Sequence, residues 1–103
     1  MILLDLLTDA KIKESSRLAE VVQAELYSIL SRQVREVLNL GVKQAPFYVL
    51  MGAQMPSILV EAAFISNPEE ERRLKSPSYL NLFAEGLFKG FQAYQEQPRM
   101  AYR

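Results

Sequence analysis

Apolar residues recur at three- and four-residue steps through the first third of the chain. Ile12, Ser15 or Ser16, Ala19, Val22, Leu26, Ile29 and Gln33 share one mostly apolar stripe, while Glu14, Arg17, Glu20, Glu25 and Arg32 fall on the wetter side. That spacing predicts a helix from about Asp9 to about Arg35, with Thr8 or Asp9 offering the side-chain oxygen that satisfies its first free N–H groups. The apolar start, Ile2 to Leu7, reads as a preceding helical turn.

The pattern then changes character. Asn39-Leu40-Gly41 interrupts the periodicity, and Gln44-Ala45-Pro46 favours extended backbone, because a residue ahead of proline is crowded out of the helical region. Phe47-Tyr48-Val49-Leu50 and Ser57-Ile58-Leu59-Val60 are unbroken apolar runs of aromatic and β-branched types, which predict strands covered on both faces. The linker from Met51 to Pro56 is too short for a helical crossover, so as neighbours these strands would run antiparallel. Asn67-Pro68-Glu69-Glu70-Glu71 then opens a helix, with Asn67 as N-cap and Pro68 at the first helical position. Ser76-Pro77 opens another. Its apolar stripe is Leu80, Phe83, Ala84, Leu87, Phe91 and Tyr94, with Gly86 and Gly90 on an adjoining line where a second backbone can come close. Gln97-Pro98 ends it, leaving residues 97–103 as a tail.

The expected fold class is therefore α/β, with two strands and about three helices in this chain. Two strands leave both outer edges unpaired, so further strands must come from elsewhere in the same domain or from another copy of the chain. Self-association through the exposed sheet edges is one expectation that follows.

Composition narrows the chemistry. The 103 residues are enough for one core, and twelve basic against twelve acidic side chains give no net charge to attract nucleic acid. With neither histidine nor cysteine, the chain has no disulfide, no thiol nucleophile and no Ser-His-Asp relay, and any metal would be held by carboxylates alone. The start, MILLDLLTDAKIKESS, is too short an apolar run for a membrane span and lacks the basic flank and cleavage site of a signal peptide.

Glu61 is the ionisable residue that departs from the surface pattern, since it follows a buried strand run and precedes Ala62-Ala63-Phe64. A carboxylate at the end of a buried strand is held rigidly and can act as a general base; the plainer reading is a strand-end glutamate bonded to a loop N–H or facing water. Other candidates carry less. Glu69-Glu70-Glu71 beside Arg72-Arg73 reads as a solvated helix start, Met51 and Met55 as core filling, and Ser15-Ser16 as a small-residue packing site. Lys43 and Gln44 read as solvated loop residues, and Tyr79 and Tyr94 as packing aromatics with a polar tip.

The run from Met55 to Glu70, MPSILVEAAFISNPEE, closely resembles the C-terminal signature of the zinc-dependent N-acetylmuramoyl-L-alanine amidases of the amidase type 3 family. Ser16-Arg17-Leu18-Ala19 with Val22-Gln23 is similar to the family's helix, Gly41 to Leu50 to its penultimate strand, and Leu74 to Tyr94 to its closing helix. The resemblance implies a three-layer α/β/α domain with a mixed sheet, of which residues 1–103 would be the C-terminal portion. It implies hydrolysis of the amide joining N-acetylmuramic acid to L-alanine in peptidoglycan, outside the cytoplasmic membrane. A zinc ion held by two histidines and a glutamate would activate water, and a second glutamate, matched here by Glu61, would assist. Ala63 stands where many members have glycine. The zinc ligands have no counterpart in a chain without histidine, so zinc is expected in the full-length parent and not on this chain, which alone would be inactive. The rival expectation is a non-catalytic interaction or dimerisation module derived from an amidase.

Overall fold

The computed structural model describes residues 2–4, 9–33, 41–44, 52–53, 55–62 and 67–97. Along the chain these form strand β1 (Ile2–Leu4), helix α1 (Asp9–Gln33), strands β2 (Val42–Gln44) and β3 (Ile58–Val60), and helices α2 (Pro68–Leu74) and α3 (Pro77–Glu96).

Helix α1 follows from its stripe. Ser15, Ala19, Val22, Leu26 and Ile29 are buried as the spacing requires, and Leu18 and Leu30 widen the buried face. Gln33 is exposed and Ile12 half-buried, so the stripe fades at both ends. Gly41, at φ 78°, takes the left-handed backbone that lets the chain turn into β2, in keeping with the break expected there.

The N-terminal segment corrects the expected helical turn, because Ile2–Leu4 is a strand. Three consecutive apolar residues carry no periodicity that tells helix from strand, and here pairing on both sides decides the matter. β1 lies in the middle of a three-stranded sheet of order β2-β1-β3. It runs parallel to β2, with Ile2 opposite Val42 and Leu4 opposite Gln44. It runs antiparallel to β3, with Ile2 opposite Val60 and Leu4 opposite Ile58. The chain itself thus supplies one strand beyond the two expected. β2 and β3 run in opposite directions without being neighbours, since β1 separates them. The run Phe47 to Leu50 lies outside the described residues, as does the tail beyond Gln97.

Helix α1 is sandwiched. Its Leu18, Ala19, Val22 and Leu26 meet Val42, Ile58 and Val60 from the sheet, and Phe83, Leu87 and Tyr94 from α3. Each fully buried aliphatic side chain here contributes about 1.5–3 kcal/mol. Alternation along β3 turns Ile58 and Val60 to α1 and leaves Leu59, half-buried, on the other face.

The two later helices start as the sequence dictates. Asn67 Oδ1 accepts from the N–H groups of Glu69 (3.0 Å) and Glu70 (3.3 Å) ahead of α2, and Ser76 Oγ accepts from Tyr79 N–H (3.3 Å) ahead of α3. The buried face of α3 is rotated from the expected stripe. Tyr79, Gly86 and Gly90 are buried, whereas Leu80, Ala84 and Phe91 are exposed. The glycines set this rotation by letting the helices close in. A Cβ on Gly90 would stand 2.8 Å from Val22 Cα, and one on Gly86 would stand 2.7 Å from Leu26 Cδ2 and 3.2 Å from Leu26 Cα. The line proposed for close backbone approach is therefore the contact itself.

Candidate functional site

Glu61 is the first residue after β3, and the structure holds that strand from several directions. Its leading end is tied to α1, where the Ser57 N–H donates to Ser15 Oγ at 2.9 Å. Ser15 is completely buried, so the accepting oxygen is shielded from water, while Ser57 is half-buried. One turn earlier Lys11 Nζ donates to the Ala53 carbonyl at 2.6 Å, fixing the approach loop. The strand body pairs with β1, and Ile58 and Val60 are locked against the α1 core. Glu61 thus leaves a strand anchored at its start, along its edge and on one face.

The side chain itself is half-buried, and its Oε2 is removed from the surface. The next residue, Ala62, is exposed. A carboxylate so placed can take a proton from a small reactant at the strand end while its backbone stays fixed.

The remaining candidates separate clearly. Glu69 pairs with Arg72, and Glu71 with Lys75 at 3.4 Å, all on the exposed start and end of α2. The Arg72 guanidinium, bonded to Glu69, holds that carboxyl below its usual range. These are the solvated local pairs that the sequence suggested. Met55 is exposed, which corrects its reading as core filling: the loop from Gly52, held down by Lys11 and Ser15, turns it outward. Met51 lies outside the described residues. Ser15 does more than pack, since its hydroxyl accepts the Ser57 N–H. Lys43 and Gln44 belong to β2, opposite Leu3 and Leu4, not to a solvated loop.

Tyr79 is buried, and burial pushes its phenol above the usual tyrosine value. Tyr94 belongs to a polar cluster that the linear sequence did not reveal. Its hydroxyl donates to Glu14 Oε2, and the Arg17 guanidinium lies 4.3 Å from its ring centroid. Arg17 also bonds both carboxylate oxygens of Glu14, at 3.3 and 3.1 Å, and reaches Gln97 Oε1 at 3.0 Å. Burial, and then the bond to Glu14, raise the Tyr94 pKa. The cluster clasps the start of α1 to the end of α3. Glu14 and Arg17 are mostly covered, which corrects their assignment to the wet side of α1.

Among the described residues no three histidine, cysteine, aspartate or glutamate side chains converge on a point that could hold a metal ion. A zinc ion bound by histidines does not fit this chain, which has none. Among the same residues no helix is long and apolar enough to cross a membrane.

The fold and the carboxylate define an α/β unit with a candidate proton acceptor at the end of one strand of its sheet. The N-acetylmuramoyl-L-alanine amidase family model, amidase type 3, matches residues 6–93, and the chain belongs to that family. It is 38% identical over 92 residues to the N-acetylmuramoyl-L-alanine amidase AmiC of Neisseria meningitidis, covering 89% of this chain and 21% of that protein. The crystal structure of N-acetylmuramoyl-L-alanine amidase from Clostridium difficile 630 superposes with a TM-score of 0.81 at 26% identity, over 95% of this chain and 48% of that one. AmiC2 of Nostoc punctiforme gives 0.76 at 30% identity, over 93% of this chain and 47% of that one. The chain spans less than half the length of each of these proteins.

Proposed function

We propose that this chain is the glutamate-bearing half of a peptidoglycan amidase domain, and that Glu61 is its contribution to the chemistry. The reaction is hydrolysis of the amide between N-acetylmuramic acid and the L-alanine of the stem peptide. Glu61 accepts a proton from the attacking water and returns it to the amine that leaves, so that neither the nucleophile nor the leaving group carries an unfavourable charge. Zinc belongs to the parent enzyme, where it supplies Lewis-acid activation of water and carbonyl; its ligands come from outside these residues. The complete domain adds strands to the sheet and a helical layer over the Leu59 face, giving three α/β/α layers. The parent acts in the cell envelope on peptidoglycan.

The observation that supports this most is the coincidence of Glu61 with a firmly held strand end inside a family match that runs from residue 6 to 93. The test is a chimera. This chain is fused behind the first half of the Neisseria AmiC catalytic domain, and release of dye from labelled sacculi is followed with added zinc. The chimera is expected to be lytic, and Glu61→Gln to lower its rate by roughly 10²–10⁴-fold at unchanged folding. The chain without the added half is expected to release nothing with or without zinc. Full activity in the glutamine variant, or zinc-dependent lysis by the isolated chain, refutes the reading. An interaction module is the second reading, favoured by one observation: the exposed apolar stripe on α3.

A further inference from the structure

Strand β3 pairs with β1 over three residues, with Leu59 opposite Leu3 at the middle. Ladder bonds join backbone groups that nearly every residue carries, so a pairing this short does not decide which three residues make it. Alternation decides the face, and Ile58 and Val60 turn to α1. A slide of two residues keeps that face. It would put Glu61 opposite Leu3 and Ala62 opposite Ile2, moving Glu61 about 7 Å back from the strand end.

Ser15 opposes such a slide. Its Oγ accepts the Ser57 N–H at 2.9 Å, and one turn earlier Lys11 Nζ donates to the Ala53 carbonyl at 2.6 Å. Both bonds tie the segment ahead of β3 to fixed points on α1, and neither survives a displacement of about 7 Å. This part of α1 is a steady reference. Glu14 and Arg17, which flank Ser15, are bonded to Tyr94 and Gln97 at the end of α3.

We propose that Ser15 is a positioning residue: it selects the register of β3 and so places Glu61 at the strand end. The choice of register stands on geometry alone, and its bearing on catalysis rests on the amidase reading of Glu61. Packing also favours the observed register. After the slide Val60 and Ala62 face α1 in place of Ile58 and Val60, so alanine stands in for a larger side chain. Ala62→Val removes most of that difference and leaves the choice to the bonds from α1.

The test uses that background. Cross-strand nuclear Overhauser contacts in the full chain report the register, Leu3 with Leu59 in the native one and Leu3 with Glu61 in the slid one. Ala62→Val alone is expected to keep the native contacts. Adding Ser15→Ala should raise the ratio of slid to native register roughly fivefold, and Lys11→Met on top of both should make the slid register a major species. Gly86→Ala in the same background disturbs the packing of α3 on α1 without touching either bond, and should leave the register unchanged. Fused behind the first half of the Neisseria AmiC catalytic domain, the variants should lose saturating rate in proportion to the native-register fraction, at unchanged half-saturation. A register that Ser15→Ala does not shift, or shifts no more than Gly86→Ala does, overturns the proposal. So does a saturating rate indifferent to the register while Glu61→Gln lowers it in the same fusion. Full rate in Glu61→Gln instead overturns the amidase reading, and the register contacts then decide the role of Ser15 by themselves.

Discussion

Replacing Gly90 by alanine sets two known effects against each other. Alanine within a helix is favoured over glycine by about 0.8–1 kcal/mol, so on propensity alone the variant gains stability. The new Cβ, however, would stand 2.8 Å from Val22 Cα and 3.0 Å from Val22 Cγ2. The nearer atom is backbone in the middle of a 25-residue helix, so relief requires α1 and α3 to move apart. Overpacking of this kind costs about 1–3 kcal/mol, and a backbone contact belongs at the upper end. The net expectation is a loss of about 2 kcal/mol. Gly86→Ala is the internal comparison. Its Cβ would meet first the Leu26 Cδ2, the end of a flexible side chain, and Leu26 Cα only at 3.2 Å. Rotation of that leucine relieves most of the clash, so a net loss of about 1 kcal/mol or less is expected. Urea unfolding followed by circular dichroism at 222 nm measures both. In a domain of this size 2 kcal/mol also corresponds to a fall in Tm of about 8–16 °C. Gly90→Ala as stable as the parent, or less damaging than Gly86→Ala, would refute the argument that backbone contact between α1 and α3 governs this packing.

Ser15→Ala leaves the half-buried Ser57 N–H without its partner, so a loss of about 1 kcal/mol is expected, with faster hydrogen exchange at the Ser57 amide as the local readout. Asn67→Ala removes the acceptor for two helix N–H groups and should cost about 1 kcal/mol, detected as fraying of α2 in amide exchange. Tyr79 and Tyr94 both have raised pKa values in the folded chain, so they bind protons more tightly there than when unfolded. Their contribution is complete below the ordinary tyrosine value of about 10 and disappears as pH rises through the folded value, so stability should fall on the alkaline side. Tyr94→Phe, which keeps the ring under Arg17 but not the hydroxyl on Glu14, should flatten part of that fall in urea titrations between pH 9 and 11.

Much of this fold was readable because it depends on local chemistry. The stripe from Ser15 to Ile29, the Asn67 and Ser76 caps, the turn at Gly41 and the strand Ile58–Val60 each rest on residues close in sequence. The failures share a different cause. Ile2–Leu4 became a strand through partners some forty and fifty-six positions away, which a three-residue run does not encode. Glu14 and Arg17 left the wet face because Tyr94, 80 residues from Glu14, covers them. On α3 the expected stripe packs at Phe83, Leu87 and Tyr94 and is exposed at Leu80, Ala84 and Phe91, because Gly86 and Gly90, lacking side chains, turn the line that meets α1. At the candidate site, the position of Glu61 followed from its strand, while the Ser15 anchor depended on a contact across 42 residues.

The central position of β1 has a consequence for how these residues come together. The strand on which both others depend finds its partners only at Val42–Gln44 and Ile58–Val60, some forty and fifty-six positions along. The α1 stripe likewise meets an α3 that starts at Pro77. Contacts between residues so distant in sequence are rewarded only after long loops have closed, so assembly of this sheet and its helical cover should be slow for the number of residues involved.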